Sequence, residues 1–308
     1  MTPAAKAHWQ MHACVLLWGF TAILGKLITL PAMSLVVWRM ALVSAALLLL
    51  PRVWSGLRAL SPRLLATYAG IGALVALHWL TFYGAIKLAN ASVAVTCIAL
   101  ATVFVPLVEP WITGKRFDPR ELLLGIAVVP GVALVVGGVP HEMRWGIAVG
   151  TLSALFVAFF GVLNKRYVER ADPLTVTFVE LGAGTLFLLV CSPLLPWFGT
   201  PFLLPGAHDA GYLLILALAC TLLPFALSLV ALRQLSAFSA QLAVNLEPIY
   251  AIVLAIVLLN EQRELGLMFY LGVAIILAGV FAHPVLVHRA PGKPAPELLG
   301  TAPSRSQD

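Results

Sequence analysis

Residues 238–261 read FSAQLAVNLEPIYAIVLAIVLLNE. The run is long enough to cross a bilayer, because a spanning helix needs about 20 residues at about 1.5 Å rise to cover a hydrocarbon core of about 30 Å. Its first half nevertheless holds a carboxylate and a proline, Glu247 and Pro248. Glu247 lies about 13 Å past Phe238 at helical rise. An ionisable group at that depth is unfavourable by roughly 2.5–3.5 kcal/mol on insertion scales, so it usually faces a protein interior or a watered cavity.

The same architecture recurs earlier in the chain. Ala85-Ile86-Lys87-Leu88 overlies Ala231-Leu232-Arg233-Gln234 at an offset of 146 residues, which brings Thr102 over Pro248 and Lys115 over Glu261. At a slightly shorter offset, Trp18 to Lys26 overlies Val157 to Lys165. The chain reads as a duplicated unit.

Composition sets the class. Of 308 residues, 61% are hydrophobic and 10% charged, and the mean hydropathy is +0.99; soluble chains carry about 25% charged residues. This is the composition of an integral membrane protein. The net charge of +6 comes from bases dispersed among short loops, which argues for topology and against a nucleic-acid partner. Residues from Trp9 to Ile28 read as a first membrane helix, not a cleaved leader. Cys14, Cys97, Cys191 and Cys220 all lie in apolar runs without C-x-x-C spacing, and are expected to be free thiols that pack as small hydrophobes.

The expected fold is all-α, with ten transmembrane helices as two inverted five-helix repeats. Ten apolar segments are drawn: 12–28, 34–51, 65–85, 93–112, 122–138, 146–164, 174–195, 211–231, 239–259 and 265–287. They group into a first repeat over 9–138 and a second over 145–288, followed by a disordered cytoplasmic tail over 289–308, polar and proline-rich from Pro291. Asp118-Pro119 and Asp172-Pro173 each offer an N-cap followed by a first-turn proline. Fourteen Lys and Arg fall in one set of loops against four in the other. Bases are retained on the cytoplasmic side, so both termini are expected there, in the inner membrane of the cell. Five helices per repeat is an odd number, which inverts the second repeat. The connection from Ser192 to Gly211 has no Lys or Arg but carries Trp197, Phe198 and Phe202. It is expected against the outer leaflet as an anchor.

These features resemble the EamA family of the drug/metabolite transporter superfamily. The resemblance rests on the ten segments, the two repeats, Trp18-Gly19-Phe20, and Asn245-x-Glu247-Pro248 running to Asn260-Glu261. It departs at Thr102 and Lys115, which stand where a second copy of the pattern would have Pro and Glu. The resemblance implies a metabolite or drug exporter with a central cavity lined by all helices except the fifth and tenth, and it places Trp18 and Asn164 at that cavity.

The candidate substrate-binding residues are Trp18, Arg39, His78, Trp79, Tyr83, Asn164, Glu180, Asn245, Glu247 and Tyr250, with Glu247 also the proton-coupling candidate. Ala240, Ala243, Glu247, Ala251 and Ala255 share one helical face, and Pro248 frees the carbonyl of Val244. Two readings stand for Glu247: a structural hydrogen bond in a tight helix pair, or a carboxylate facing substrate. Arg39 and Glu180 occupy matching places, but helical rise separates them by about 12 Å in depth. The plainer reading has Arg39 snorkelling outward and Glu180 inward; the sharper one sets Glu180 beside Glu247. Glu109 is expected to meet Lys115 and Arg116 at a helix end. His78 with Phe82, and Trp79 with Tyr83, offer aromatic faces to a ligand or simply pack.

No Walker-type phosphate loop is present, and the seven histidines show no H-E-x-x-H spacing. The reading is a non-enzymatic secondary transporter of a small organic metabolite, an amino acid, amine or related compound, with no cofactor and no metal. A facilitator or exchanger without proton coupling, and a lipid-handling or accessory membrane protein, remain the other readings. Monomer and homodimer both stand open.

Overall fold

The computed structural model describes residues 2–288, all helical apart from turns and connections. In chain order the helices are α1 (Pro3–Leu27), α2 (Ala32–Leu48), α3 (Pro51–Ala59), α4 (Pro62–Leu88), α5 (Ala91–Ile98), α6 (Ala101–Thr113), α7 (Pro119–Ile126), α8 (Val129–Gly137), α9 (Arg144–Tyr167), α10 (Pro173–Cys191), α11 (Ala207–Ala217), α12 (Leu223–Leu232), α13 (Ala237–Val244), α14 (Glu247–Leu259) and α15 (Leu267–His288). The expected tail lies outside the described residues.

Among the described residues, seven helices are long and apolar enough to cross a membrane. An eighth results if α2 and α3, bent by 93° at Leu49–Leu50, count as one. The chain is a multi-pass membrane protein. The expected fifth segment is instead two short helices, α7 and α8, separated at Ala127–Val128; an apolar run records burial and carries no mark of a two-residue turn. The side chains of Asp118 and Asp172 cap α7 and α10 as the Asp-Pro pairs indicated.

The ninth segment is also interrupted, at Asn245–Leu246. Proline is not the sole cause. Shifting α5 and α6 by 146 residues reproduces the bounds of α13 and α14, so the fourth segment breaks at the matching Ala99–Leu100, where Thr102 replaces Pro248. Short-range bonds bridge both breaks: Leu100 N donates to Cys97 O, and Leu246 N to Ala243 O, each at 3.1 Å. In the first repeat the Thr102 hydroxyl donates to Ala99 O at 2.5 Å. The match extends to the caps. Asn90 and Ser236 cap α5 and α13, and Gly114 and Asn260 end α6 and α14 in the left-handed region, at φ 75° and 58°.

Packing between the repeats is reciprocal. α1 packs on α12 and α14, and α9, its counterpart, packs on α4 and α6; α2 meets α10, and α8 meets α15. The four thiols are free, with Cys191 half-buried and the rest buried. The connection after α10 leaves Trp197 91% exposed, yet it is also tied to α2. Ser34 Oγ donates to Thr200 O, and Trp38 Nε1 to Leu203 O at 3.0 Å.

Gly72 marks the tightest approach of a glycine to the backbone of another helix among the described residues. A Cβ there would lie 2.1 Å from the carbonyl oxygen of Glu180 on α10. Gly72→Ala should therefore push α4 from α10 and destabilise the fold by about 1–3 kcal/mol, read as a lowered midpoint of thermal unfolding in detergent, whereas Gly70→Ala, with open space around it, should leave the midpoint unchanged.

Candidate functional site

A cavity of about 130 Å³ lies at the seam between the repeats, lined from α1, α2, α4, α5, α6, α9, α12, α13 and α14. α10 contributes no lining residue, so the seventh segment departs from the expected wall. At one end of the bundle the lining reaches Leu232, Ala237 and Asn164, at the termini of α12, α13 and α9. At the other end it stops at Thr21, Arg39 and Phe82, short of the end of α1, the start of α2 and the end of α4.

Arg39 is the main departure from sequence expectation. It does not snorkel: it is 2% exposed, with its guanidinium carbon 3.8 Å from the centroid of the Trp79 ring. Its Nε donates to Thr221 Oγ1 at 2.6 Å and its Nη1 to Tyr83 Oη at 2.7 Å. Thr221 lies in a π-helical turn, Leu218–Leu222, between α11 and α12, a feature frequent at functional sites. Tyr83 is seated by Gly25, where a Cβ would fall 2.3 Å from its ring. No carboxylate lies within ion-pair distance of Arg39 among the described residues. The guanidinium thus carries its charge into the cavity with only neutral partners.

Glu247 lines the same cavity and is buried, as are Trp79 and Asn164, while Trp18 and His78 on the same wall are half-buried. Nδ1 of His78 is 2.7 Å from Ser153 Oγ. Phe225, the repeat counterpart of Trp79, meets it edge-to-face at 6.0 Å.

Four candidates stand back from the wall. Tyr83 acts through Arg39. Glu180 is not directed inward to a basic loop, nor is it brought to the cavity beside Glu247. It is wholly buried and accepts from Nδ2 of Asn164 at 3.3 Å. Its Oε1 and the Oδ1 of Asn164 have no partner within the protein. Asn245 sits at the break, 3.5 Å from Nε2 of Gln241, and Tyr250 packs against Gly19. Glu109 meets Lys115 at 3.1 Å, while Arg116 makes no bond to it. Burial lowers the pKa of Lys115, but its bonds to Glu121 and Glu109 outweigh this and leave it raised.

The EamA-like transporter family profile matches residues 6–137 and 144–282. The chain belongs to the EamA-like transporter family. An uncharacterized transporter from Archaeoglobus fulgidus is 26% identical over 218 residues, 70% of this chain and 74% of that one. A solved crystal structure, described only as that of a protein, aligns with TM-score 0.66 and 17% identity over 92% of this chain and 98% of its own. That identity supports a shared fold and no more.

Sequence reasoning missed Thr21, Phe160, Gln241 and Ser228, all on the wall of this EamA-like cavity. Two of them carried a signal: Thr21 and Phe160 are counterparts under the repeat offset that pairs Trp18 with Val157. Gln241 and Ser228 lacked even that, because a single amide or hydroxyl in an apolar helix is commonplace.

Thr221→Val keeps the side-chain shape but removes the acceptor for Arg39. It should cost about 1.5–3 kcal/mol, seen as a lowered unfolding midpoint; an unchanged midpoint would show that this bond does not hold the guanidinium.

Proposed function

We propose that this chain is a secondary transporter that exports a small organic metabolite by alternating access, through ten spans arranged as two inverted repeats. The observation that carries the reading is one cavity, at the seam of two duplicated halves, that reaches one end of the bundle and not the other. Transporters built from inverted repeats hold substrate between the repeats near mid-membrane and expose it alternately. Interrupted helices at that depth, as at Ala99–Leu100 and Asn245–Leu246, are a recurrent part of such sites.

The loop charge bias supports placing both termini, and with them the Leu232–Ala237 end of the cavity, in the cytoplasm. The cavity then faces inward, as loading for export requires. Its size is near that of an engineered cavity of about 150 Å³ that accommodates benzene, so the bound group is small. Arg39 and Glu247 face one cavity without pairing to each other. A solute with an anionic and a cationic end, such as an amino acid, satisfies both, while Trp18 and Trp79 flank an apolar or cationic part. In this account Glu247 exchanges a proton with water when the cavity is open.

Two measurements test the proposal. In intact cells, a cysteine replacing Gly206 should react with an impermeant maleimide and one replacing the exposed Arg58 should not; the reverse would overturn the topology. In liposomes, Glu247→Gln should preserve folding and remove the response of solute flux to an imposed pH gradient. Flux that still follows the gradient would leave Glu247 a structural residue.

A further inference from the structure

Glu261 is 1% exposed although it lies just past the end of α14. Its two oxygens reach across to the other repeat. Oε1 accepts from Ala91 N at 3.0 Å, and Oε2 accepts from Ser92 N at 3.0 Å and Ser92 Oγ at 2.6 Å. Glu264 adds a bond from Asn90 Nδ2 at 3.3 Å. The first N–H groups of α5 have no partner within their own helix, and a carboxylate also complements the positive end of a helix dipole. Glu261 is thus a cap supplied from the second repeat to the first.

The opposite end of the bundle lacks the equivalent. Lys115 occupies the matching position, and it turns back to Glu109 Oε2 and Glu121 Oε1, both at 3.1 Å. A cation is disfavoured at a helix N-terminus, and the N-cap side chain of α13 is its own Ser236. Other contacts do have counterparts: Lys87 donates to Ile28 O at one end, as Arg233 donates to Ala171 O at the other. The Glu261 cap therefore separates the two ends, and the cavity follows it. Ala94 beside the cap is fully buried, while its counterpart Ala240 lines the cavity.

We propose that Glu261 is a one-sided latch, which keeps the bundle closed at the end bearing Lys87 and Asn90 and sets the cavity open at the Ala237 end as the resting state. The proposal rests on the alternating-access reading. Transport requires the cap to release from α5 when the cavity turns outward, and Lys115 ensures that no matching latch traps that outward state.

The test uses the full chain with its four cysteines changed to alanine, and a single reporter, Ala94→Cys or Ala240→Cys, labelled with an impermeant maleimide in vesicles of both orientations. With Glu261 intact, Ala240→Cys should react quickly from the cytoplasmic side and Ala94→Cys slowly from outside. Glu261→Gln should raise Ala94→Cys labelling about tenfold, the population shift that accompanies loss of one charge-assisted hydrogen bond, and slow Ala240→Cys. Ser92→Ala should act in the same direction, and Lys115→Glu, which offers α13 a carboxylate, should slow Ala240→Cys labelling. Unchanged rates in all three variants would overturn the latch. A Thr29→Val, Lys87→Met double variant, which removes the bond from Thr29 Oγ1 to Asp209 Oδ2 at 2.7 Å and that from Lys87 to Ile28 O at the same end, separates the two claims. If it exposes Ala94→Cys while Glu261→Gln and Ser92→Ala do not, the latch alone fails. If Ala94→Cys stays unreactive in every background, alternating access fails with it.

Discussion

A bilayer core offers no hydrogen-bond partners to the backbone, so every helix interruption and every buried helix end must be satisfied by protein. Much of this structure follows from that constraint. The interrupted spans keep their carbonyls and amides engaged through short-range bonds across Ala99–Leu100 and Asn245–Leu246. Helix ends are completed across the seam: Glu261 serves α5, Asp209 accepts from Thr29 N at 2.9 Å, and Tyr68 Oη donates to Tyr167 O at the end of α9 at 2.9 Å. Each repeat supplies polar groups that the other lacks, and the cavity remains where the two sets do not meet.

The same constraint explains why a near-symmetric scaffold carries an asymmetric site. Counterpart positions line the cavity on both sides, as Trp18 does with Val157 and Trp79 with Phe225. The charges have no such mates. Arg39 corresponds to Glu180, which lies behind Asn164, and Glu247 corresponds to Ala101. In the proposed cycle the backbone duplication supplies two equivalent ways to close, while the side chains make the two faces of the site chemically distinct. The directional export proposed above needs both properties.

Much of the fold was legible because its signals are long or repeated. Hydropathy, the 146-residue offset and the Asp-Pro caps each extend over a turn or more, and the Glu109–Lys115 pair follows from helical proximity. The breaks were not legible, since a two-residue turn leaves the apolar pattern intact, and Pro248 pointed to only one of the two. The fate of Arg39 was hidden for a different reason. Depth along its own helix suggested snorkelling, but its partners Tyr83 and Thr221 come from α4 and the π-helical turn after α11. Glu180 failed similarly, because its partner Asn164 belongs to a neighbouring helix. Partners that distant in sequence emerge only from packing.

The central claim, that two equivalent ends open in alternation, is tested most directly by paired distance measurements. Spin labels at the exposed positions Leu88 and Gln262 report one end; the repeat exchange maps this pair onto Gln234 and Arg116, also exposed, at the other. Double electron–electron resonance should show the two distances moving in opposite senses when the resting population is shifted, one lengthening as the other shortens. Distances that lengthen together, or that do not respond, would contradict the account.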